Sequence, residues 1–122
     1  MIDGDDDRAD ALFQALADRT RRDILRRVLA GEHSVSTLAA SYDMSFAAVQ
    51  KHVAVLERAG LLTKRRQGRE QLARGDVEAV RSVGALLTEL ETVWRGRVAR
   101  IDDLLALTTP AESRSAPSEP GE

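Results

Sequence analysis

The chain has 122 residues, 43% of them hydrophobic, no cysteine and a formal charge of −2, enough for one domain with a single core and little to spare. Missing cysteines exclude disulfides and thiolate metal sites, no N-terminal apolar run points to secretion, and nothing approaches the roughly 20 apolar residues of a membrane span. A soluble cytoplasmic protein is expected, its core built from Leu, Val, Ile and Ala because only Phe13, Tyr42, Phe46 and Trp94 are aromatic.

Met1 to Asp7 is acidic, contains Gly4 and has no periodicity, so residues 1–7 are predicted to be a disordered lead-in. A first helix is expected from about Arg8 to Leu16, with Leu12, Phe13 and Leu16 on one face. Asp18 then has the position and chemistry of an N-cap for a second helix, which turns Ile24, Leu25, Val28 and Leu29 inward and Arg19, Arg21, Arg22, Arg26 and Arg27 outward before Gly31 ends it. That arginine run reads as a solvated face, some of which can lie near DNA backbone. His33 is expected to be exposed in the loop that follows.

Ser36 to Tyr42 forms a two-turn amphipathic segment that breaks at Asp43-Met44-Ser45, with Asp43 as turn former and Ser45 as the next N-cap. The helix from Phe46 to about Ala59 places Val49, Val53 and Leu56 on its inner face. A step of about 100° per residue turns Ala47, Lys51, Ala54 and Arg58 outward, with Gln50 at the edge. One face is apolar and the other is small and basic, as a helix must be to sit deep in a major groove. Gly60 stops it as the C′ residue.

Leu61 to Arg66 and Arg69 to Ala73 read as two short strands around Gln67-Gly68, where Gly supplies the positive φ of a tight hairpin. Lys64, Arg65, Arg66, Arg69 and Arg74 face only Glu70. Cations on an edge strand can be edge protection alone; following a helix-turn-helix pattern, they read as the wing of a winged helix-turn-helix DNA reader. Charge along the chain agrees. Residues 1–10 carry −4 and residues 108–122 carry −2, whereas Ser45 to Gly75 holds seven basic and two acidic residues, or +5. The positive field is local.

Beyond the wing, Asp76 is placed to cap a helical region in which Val80, Val83, Leu87, Leu90, Trp94, Val98, Ile101 and Leu105 recur at steps of three and four. As one straight helix the stripe is about 40 Å long, although Gly84 and Gly96 can break it into two. So much apolar surface exceeds what a small winged core covers, and pairing with a second copy in a symmetric dimer is the economical reading over a helix folded back on its own core. Residues 108–122, rich in Pro, Ser, Ala and Glu, read as a disordered tail, which leaves 8–107 as the domain.

Leu16-Ala17-Asp18-Arg19-Thr20-Arg21-Arg22-Asp23-Ile24-Leu25, Phe46-Ala47-Ala48-Val49-Gln50-Lys51-His52-Val53 and Leu56-Glu57-Arg58-Ala59-Gly60-Leu61-Leu62 resemble, in that order, the ArsR/SmtB-type bacterial transcriptional regulators. The resemblance covers about Leu12 to Leu105. It implies a mainly α winged helix-turn-helix with a small β-hairpin, dimeric through its terminal helices, that binds double-stranded operator DNA, usually as a repressor. Leu12, Phe13, Leu90, Trp94, Val98, Ile101 and Leu105 are then the interface candidates. Arg19 departs from the Pro usual at that position. The metal-sensing branches need paired cysteines in the third helix, where this chain has Ser34, Ser36 and Thr37, or Asp and His on the last helix, where Asp102 and Asp103 stand without a His. Soft and borderline metals prefer sulfur or imidazole, so no metal or other cofactor is expected, and the identity of any small-molecule effector stays open.

Phe46, Ala47, Gln50 and Lys51 are the candidates to read or line the groove. Ser45, His52 and Thr63 are candidate backbone contacts, and Lys64, Arg65, Arg66 and Arg69 candidate phosphate or minor-groove contacts. His52, on the flank of the reading helix, is a packing or phosphate-contacting residue before it is a catalytic one, because no motif places a carboxylate or nucleophile beside it. No phosphate loop, metal cluster or nucleophile motif is present, so an enzyme is not expected. The alternative in a different class keeps the fold as a protein-interaction module whose basic wing meets an acidic partner; salt-dependent binding to duplex DNA separates the two.

Overall fold

A computed structural model describes residues 4–108. The elements run α1 (Gly4–Leu16), α2 (Arg19–Ala30), β1 (His33–Ser34), α3 (Val35–Ala40), α4 (Phe46–Arg58), β2 (Leu62–Gln67), β3 (Glu70–Gly75) and α5 (Val77–Thr108). The chain divides into two units, one ending at Gly84 and the other beginning at Ala85, and α5 starts in the first and continues in the second.

The starts of α2, α3, α4 and α5 each follow from a short polar side chain. Asp18 accepts from the Arg21 N–H at 3.0 Å, Ser34 from the Thr37 N–H at 3.0 Å, Ser45 from the Ala48 N–H at 3.1 Å and Asp76 from the Glu78 N–H at 2.9 Å. These bonds satisfy donors that a helix start otherwise leaves unpaired. At the end of α4, the Gly60 N–H donates to Glu57 O and the Leu61 N–H to Leu56 O, both at 2.9 Å. This is a Schellman motif, and it requires the positive φ of 82° that Gly60 adopts. Leu56 and Leu61, at its two ends, are fully buried.

The sheet is antiparallel in the order β1-β3-β2, with His33 opposite Ala73 and Ser34 opposite Leu72 on one side of β3, and Leu62 opposite Gly75 through Gln67 opposite Glu70 on the other. Gly68 turns the hairpin at φ 63°, and no described non-glycine residue has a positive φ. A positive φ confined to the first of two loop residues is the II′ pattern, which matches the twist of the strands it joins. The core of the first unit gathers Leu12 and Ala15 of α1, Ile24, Leu25 and Val28 of α2, Val35 and Leu38 of α3, Val49, Val53 and Leu56 of α4, Leu61, Leu62 and Ala73 around the sheet, and Ala79 and Val83 of α5.

Several details differ from the sequence expectation. α1 begins at Gly4, inside the stretch expected to be disordered; its first turn is acidic, which suits the positive end of a helix dipole. Residues 1–3 of that stretch and residues 109–122 of the expected tail lie outside the described residues. His33 is in a strand and half-buried rather than exposed in a loop. Leu29, expected inward, is 39% exposed, yet it lies so close over Gly75 that a Cβ there would meet its Cδ2 at 2.6 Å. Neither Gly84 nor Gly96 interrupts α5, since one Gly weakens a helix by only about 1 kcal/mol.

Candidate nucleic-acid interface

Helix α4 carries the candidate reading surface. Val49, Val53 and Leu56 are buried, so Ala47 and Lys51 are turned outward, Gln50 stands exposed at the edge, and Phe46 is exposed at the first turn although its helical step puts it nearer the inner face. Phe46 is 48% exposed at the first turn, where an apolar residue gains nothing from water. Gln50 and Lys51 have no hydrogen bond or ion pair among the described residues, so their polar ends are available to a ligand. Ser45 is exposed, but its Oγ already caps the helix, which leaves one lone pair and its proton for a backbone contact.

The wing is less uniform than its charge implied. Alternation along β2 puts Leu62, Lys64 and Arg66 on one face and Thr63, Arg65 and Gln67 on the other. The first face looks towards α4, because Leu62 is buried and the Lys64 Nζ lies 3.3 Å from Glu57 Oε1 in the last turns of α4. On the second face Arg65 donates to both carboxylate oxygens of Glu32, at 2.9 and 2.8 Å, and to Gln67 Oε1 at 2.9 Å. That contact holds Glu32 below the usual carboxylate range and raises the Arg65 guanidinium further. Thr63 is exposed opposite Arg74. Arg66, Arg69 and Arg74 are exposed with no hydrogen bond or ion pair among the described residues; Arg74 acts on Glu32 through charge, which leaves Arg66 and Arg69 as the wing cations most free to meet phosphate.

His52 turns away from that surface. Its Nδ1 is 3.5 Å from Arg21 Nη1 and 3.9 Å from Asp18 Oδ2, in a half-buried position. Arg21, expected to be solvated, is instead a clip: its Nε donates to Ala15 O at 2.7 Å and its Nη2 to Gln14 O at 3.0 Å. The carbonyls at the end of α1 lack partners within their helix and attract it. Asp18 is held below the usual carboxylate range, chiefly by the Arg21 backbone N–H and despite some desolvation.

Among the interface candidates, Leu12 departs from expectation: it is 3% exposed and belongs to the core of its own chain, whereas Phe13 is 37% exposed. Neighbours on a helix point about 100° apart, and on α1 it is Leu12, with Ala15, that faces the core. Leu90, Trp94, Ile101 and Leu105 on α5 are exposed and Val98 is half-buried. Among the described residues no three His, Asp or Glu side chains gather as a metal site would require, and no helix is long and apolar enough to cross a membrane.

Two groups went unseen in the sequence. Glu32 gives no signal because its partner is far along the chain, and Tyr42 reads only as the last residue of the amphipathic segment Ser36 to Tyr42. The Tyr42 hydroxyl donates to Asp23 Oδ2, Arg27 Nε donates to the same oxygen at 2.9 Å, and the Arg27 guanidinium lies 5.3 Å from the Tyr42 ring centroid.

Known proteins share this arrangement. A family model described as a helix-turn-helix domain matches residues 16–65. The HTH-type transcriptional regulator Rv2034 of Mycobacterium tuberculosis is 36% identical over 85 residues, which are 70% of this chain and 77% of that protein. A solved ArsR family transcriptional regulator, RHA00566, superposes with a TM-score of 0.69 at 36% identity, covering 73% of this chain and 92% of its own. An ArsR-like transcriptional regulator from Rhodococcus sp. RHA1 superposes with a TM-score of 0.74 at 28% identity, covering 84% and 96%.

Proposed function

The chain belongs to the ArsR family of winged helix-turn-helix DNA-binding transcriptional regulators, and from that premise we propose that it is a repressor that occupies a pseudo-palindromic operator as a homodimer in the cytoplasm. The observation that carries the reading is the outer face of α4. Small Ala47 allows close approach, Gln50 and Lys51 have unengaged polar ends, and Arg66 and Arg69 stand unpaired on the neighbouring wing. Gln and Lys can pair with base edges in the major groove, and wing arginines with phosphates or the minor groove. Thr63 and Ser45 remain candidate backbone contacts; Lys64 and Arg65 reach DNA only by exchanging the carboxylates they now hold.

Dimerisation has geometric support. One reading helix covers few base pairs, whereas a two-fold dimer reads half-sites about 34–36 Å apart. The exposed apolar residues of α5, with Phe13 on α1, are candidate surfaces for the second copy. Repression follows from occupancy alone, with no further surface needed to recruit polymerase. Selection of bound duplexes from a random pool, repeated at several salt concentrations, tests the reading. A two-fold symmetric site with steep salt dependence is expected; failure to enrich any sequence would overturn it.

A further inference from the structure

Three arginines belong neither to the reading helix nor to the wing. Arg19, Arg22 and Arg26 recur at steps of three and four on α2 and, with Thr20, Asp23 and Tyr42, line an open concavity. Tyr42 lies four residues before Phe46 in the turn that leads through Ser45 into α4, so one wall of the concavity is joined through a short link to the N-terminal end of the reading helix.

Its chemistry is cationic in spite of Asp23. That carboxylate accepts from the Tyr42 hydroxyl and from Arg27, with Arg26 at a longer 3.4 Å, so its charge is spent on holding the wall together. Arg19 has no hydrogen bond or ion pair among the described residues, and Arg22 uses only Nη1, on Leu16 O at 2.7 Å. Four arginines, Arg27 included, therefore surround one carboxylate, and most of their donors point to solvent.

Position says what the surplus charge meets. A 13-residue helix is about 20 Å long, longer than the roughly 12 Å width of a major groove, so a helix laid across the groove brings its two ends to opposite phosphate walls. The wing is tied to the C-terminal end of α4 through Lys64 and Glu57. The first turn of α4, Phe46 to Val49, has no cation of its own. We propose that the α2 concavity seats a phosphate of the operator backbone at this N-terminal end, opposite the wing. The proposal rests on the DNA-binding reading above and assigns it a second backbone anchor.

The experiment uses the full chain and the duplex obtained by selection. Affinity is measured against salt for wild type, Arg19→Gln, Arg19→Gln/Arg22→Gln, and Arg66→Gln/Arg69→Gln, with phosphate ethylation interference on the same duplex. Each lost contact should lower the slope of log affinity against log salt by about 0.9 per protomer, with base preference unchanged. The α2 and wing variants should lose protection at different phosphates. Arg19→Gln guards against misfolding, because its side chain has no partner to lose, and it should give about half the slope change of the double variant. Wild-type slope and ethylation pattern in Arg19→Gln and in the double variant overturn the inference alone. Wild-type protein without salt-dependent duplex binding overturns the DNA-binding reading and the inference together.

Discussion

Arg65 grips Glu32 with two hydrogen bonds across 33 residues of sequence, and this removes the central cation of the wing from the free pool. Arg65→Gln should therefore cost less operator affinity than Arg66→Gln or Arg69→Gln. Glu32→Gln should release Arg65, raise affinity and steepen the salt dependence, because one more cation can displace counterions. Binding titrations at three salt concentrations check both statements. Equal losses for Arg65→Gln and Arg66→Gln would mean that Glu32 yields Arg65 to DNA on binding.

Acid should weaken the fold through Asp23. The Tyr42 hydroxyl, then Arg27, hold its folded value below the ordinary 3.8. A depressed carboxylate contributes its stability above the unfolded value and loses it as pH falls through the folded one. Tyr42 titrates in the other direction: burial first, then Asp23, push it up to about 12, so its contribution is complete below its ordinary 10.0 and lost as pH rises towards the raised value. Asp23→Asn should flatten the acid limb of a plot of urea midpoint against pH. Tyr42→Phe should flatten both limbs and lower stability near neutrality by about 1 kcal/mol. An unaltered acid limb in Asp23→Asn would assign acid lability elsewhere.

On the reading helix, Gln50→Ala and Lys51→Ala should relax base preference by about 1–3 kcal/mol per lost contact, leaving circular dichroism unchanged because both side chains are exposed. Repeating the duplex selection with each variant shows whether preference at particular positions is lost. Unchanged preference in both would take these residues off the reading surface.

The α5 surface makes its own prediction. Trp94→Ala, and more severely Val98→Asp, should shift the protein towards monomer and lower operator affinity, since Trp is a frequent interface anchor and a buried unpaired Asp is costly. Sedimentation equilibrium beside a binding titration reads both effects. A wild type that is monomeric at micromolar concentration and binds its operator as a single copy would defeat the dimer proposal.

Two glycines should respond oppositely. Gly75→Ala drives a Cβ to 2.6 Å from Leu29 Cδ2, 2.7 Å from its Cγ and 3.1 Å from its Cα, so the Leu29 side chain must turn away and its backbone give by a few tenths of an ångström; a loss of about 1–3 kcal/mol is expected. Gly84→Ala meets nothing within 4 Å in the middle of a helix, and a gain of about 0.5–1 kcal/mol is expected. Urea denaturation of both variants decides.

Much of α4 was legible because its signals are local: Ser45 before an apolar period and Gly60 after it delimit the helix to within a residue of Phe46–Arg58. The hairpin was legible for the same reason. β1 was not, because two residues carry no alternation and His33–Ser34 becomes a strand only by pairing with Leu72 and Ala73. The charged residues were hardest to assign. By charge and periodicity Arg21 is equivalent to the other α2 arginines, and Lys64 and Arg65 to Arg66 and Arg69, and only the approach of Ala15 O, Glu57 and Glu32 in three dimensions separates these engaged cations from their neighbours.

Trp94 is the chain's single tryptophan, and it stands exposed on α5, far along the sequence from every candidate DNA contact. Indole emission moves to the blue when water leaves its surroundings, so the native protein is its own optical reporter of α5. Concentration-dependent blue shifts would record a second copy covering that helix without any label. The two events proposed for this regulator, self-association and operator docking, can thus be followed in one cuvette, the first by emission wavelength and the second by the anisotropy of a dye on the duplex.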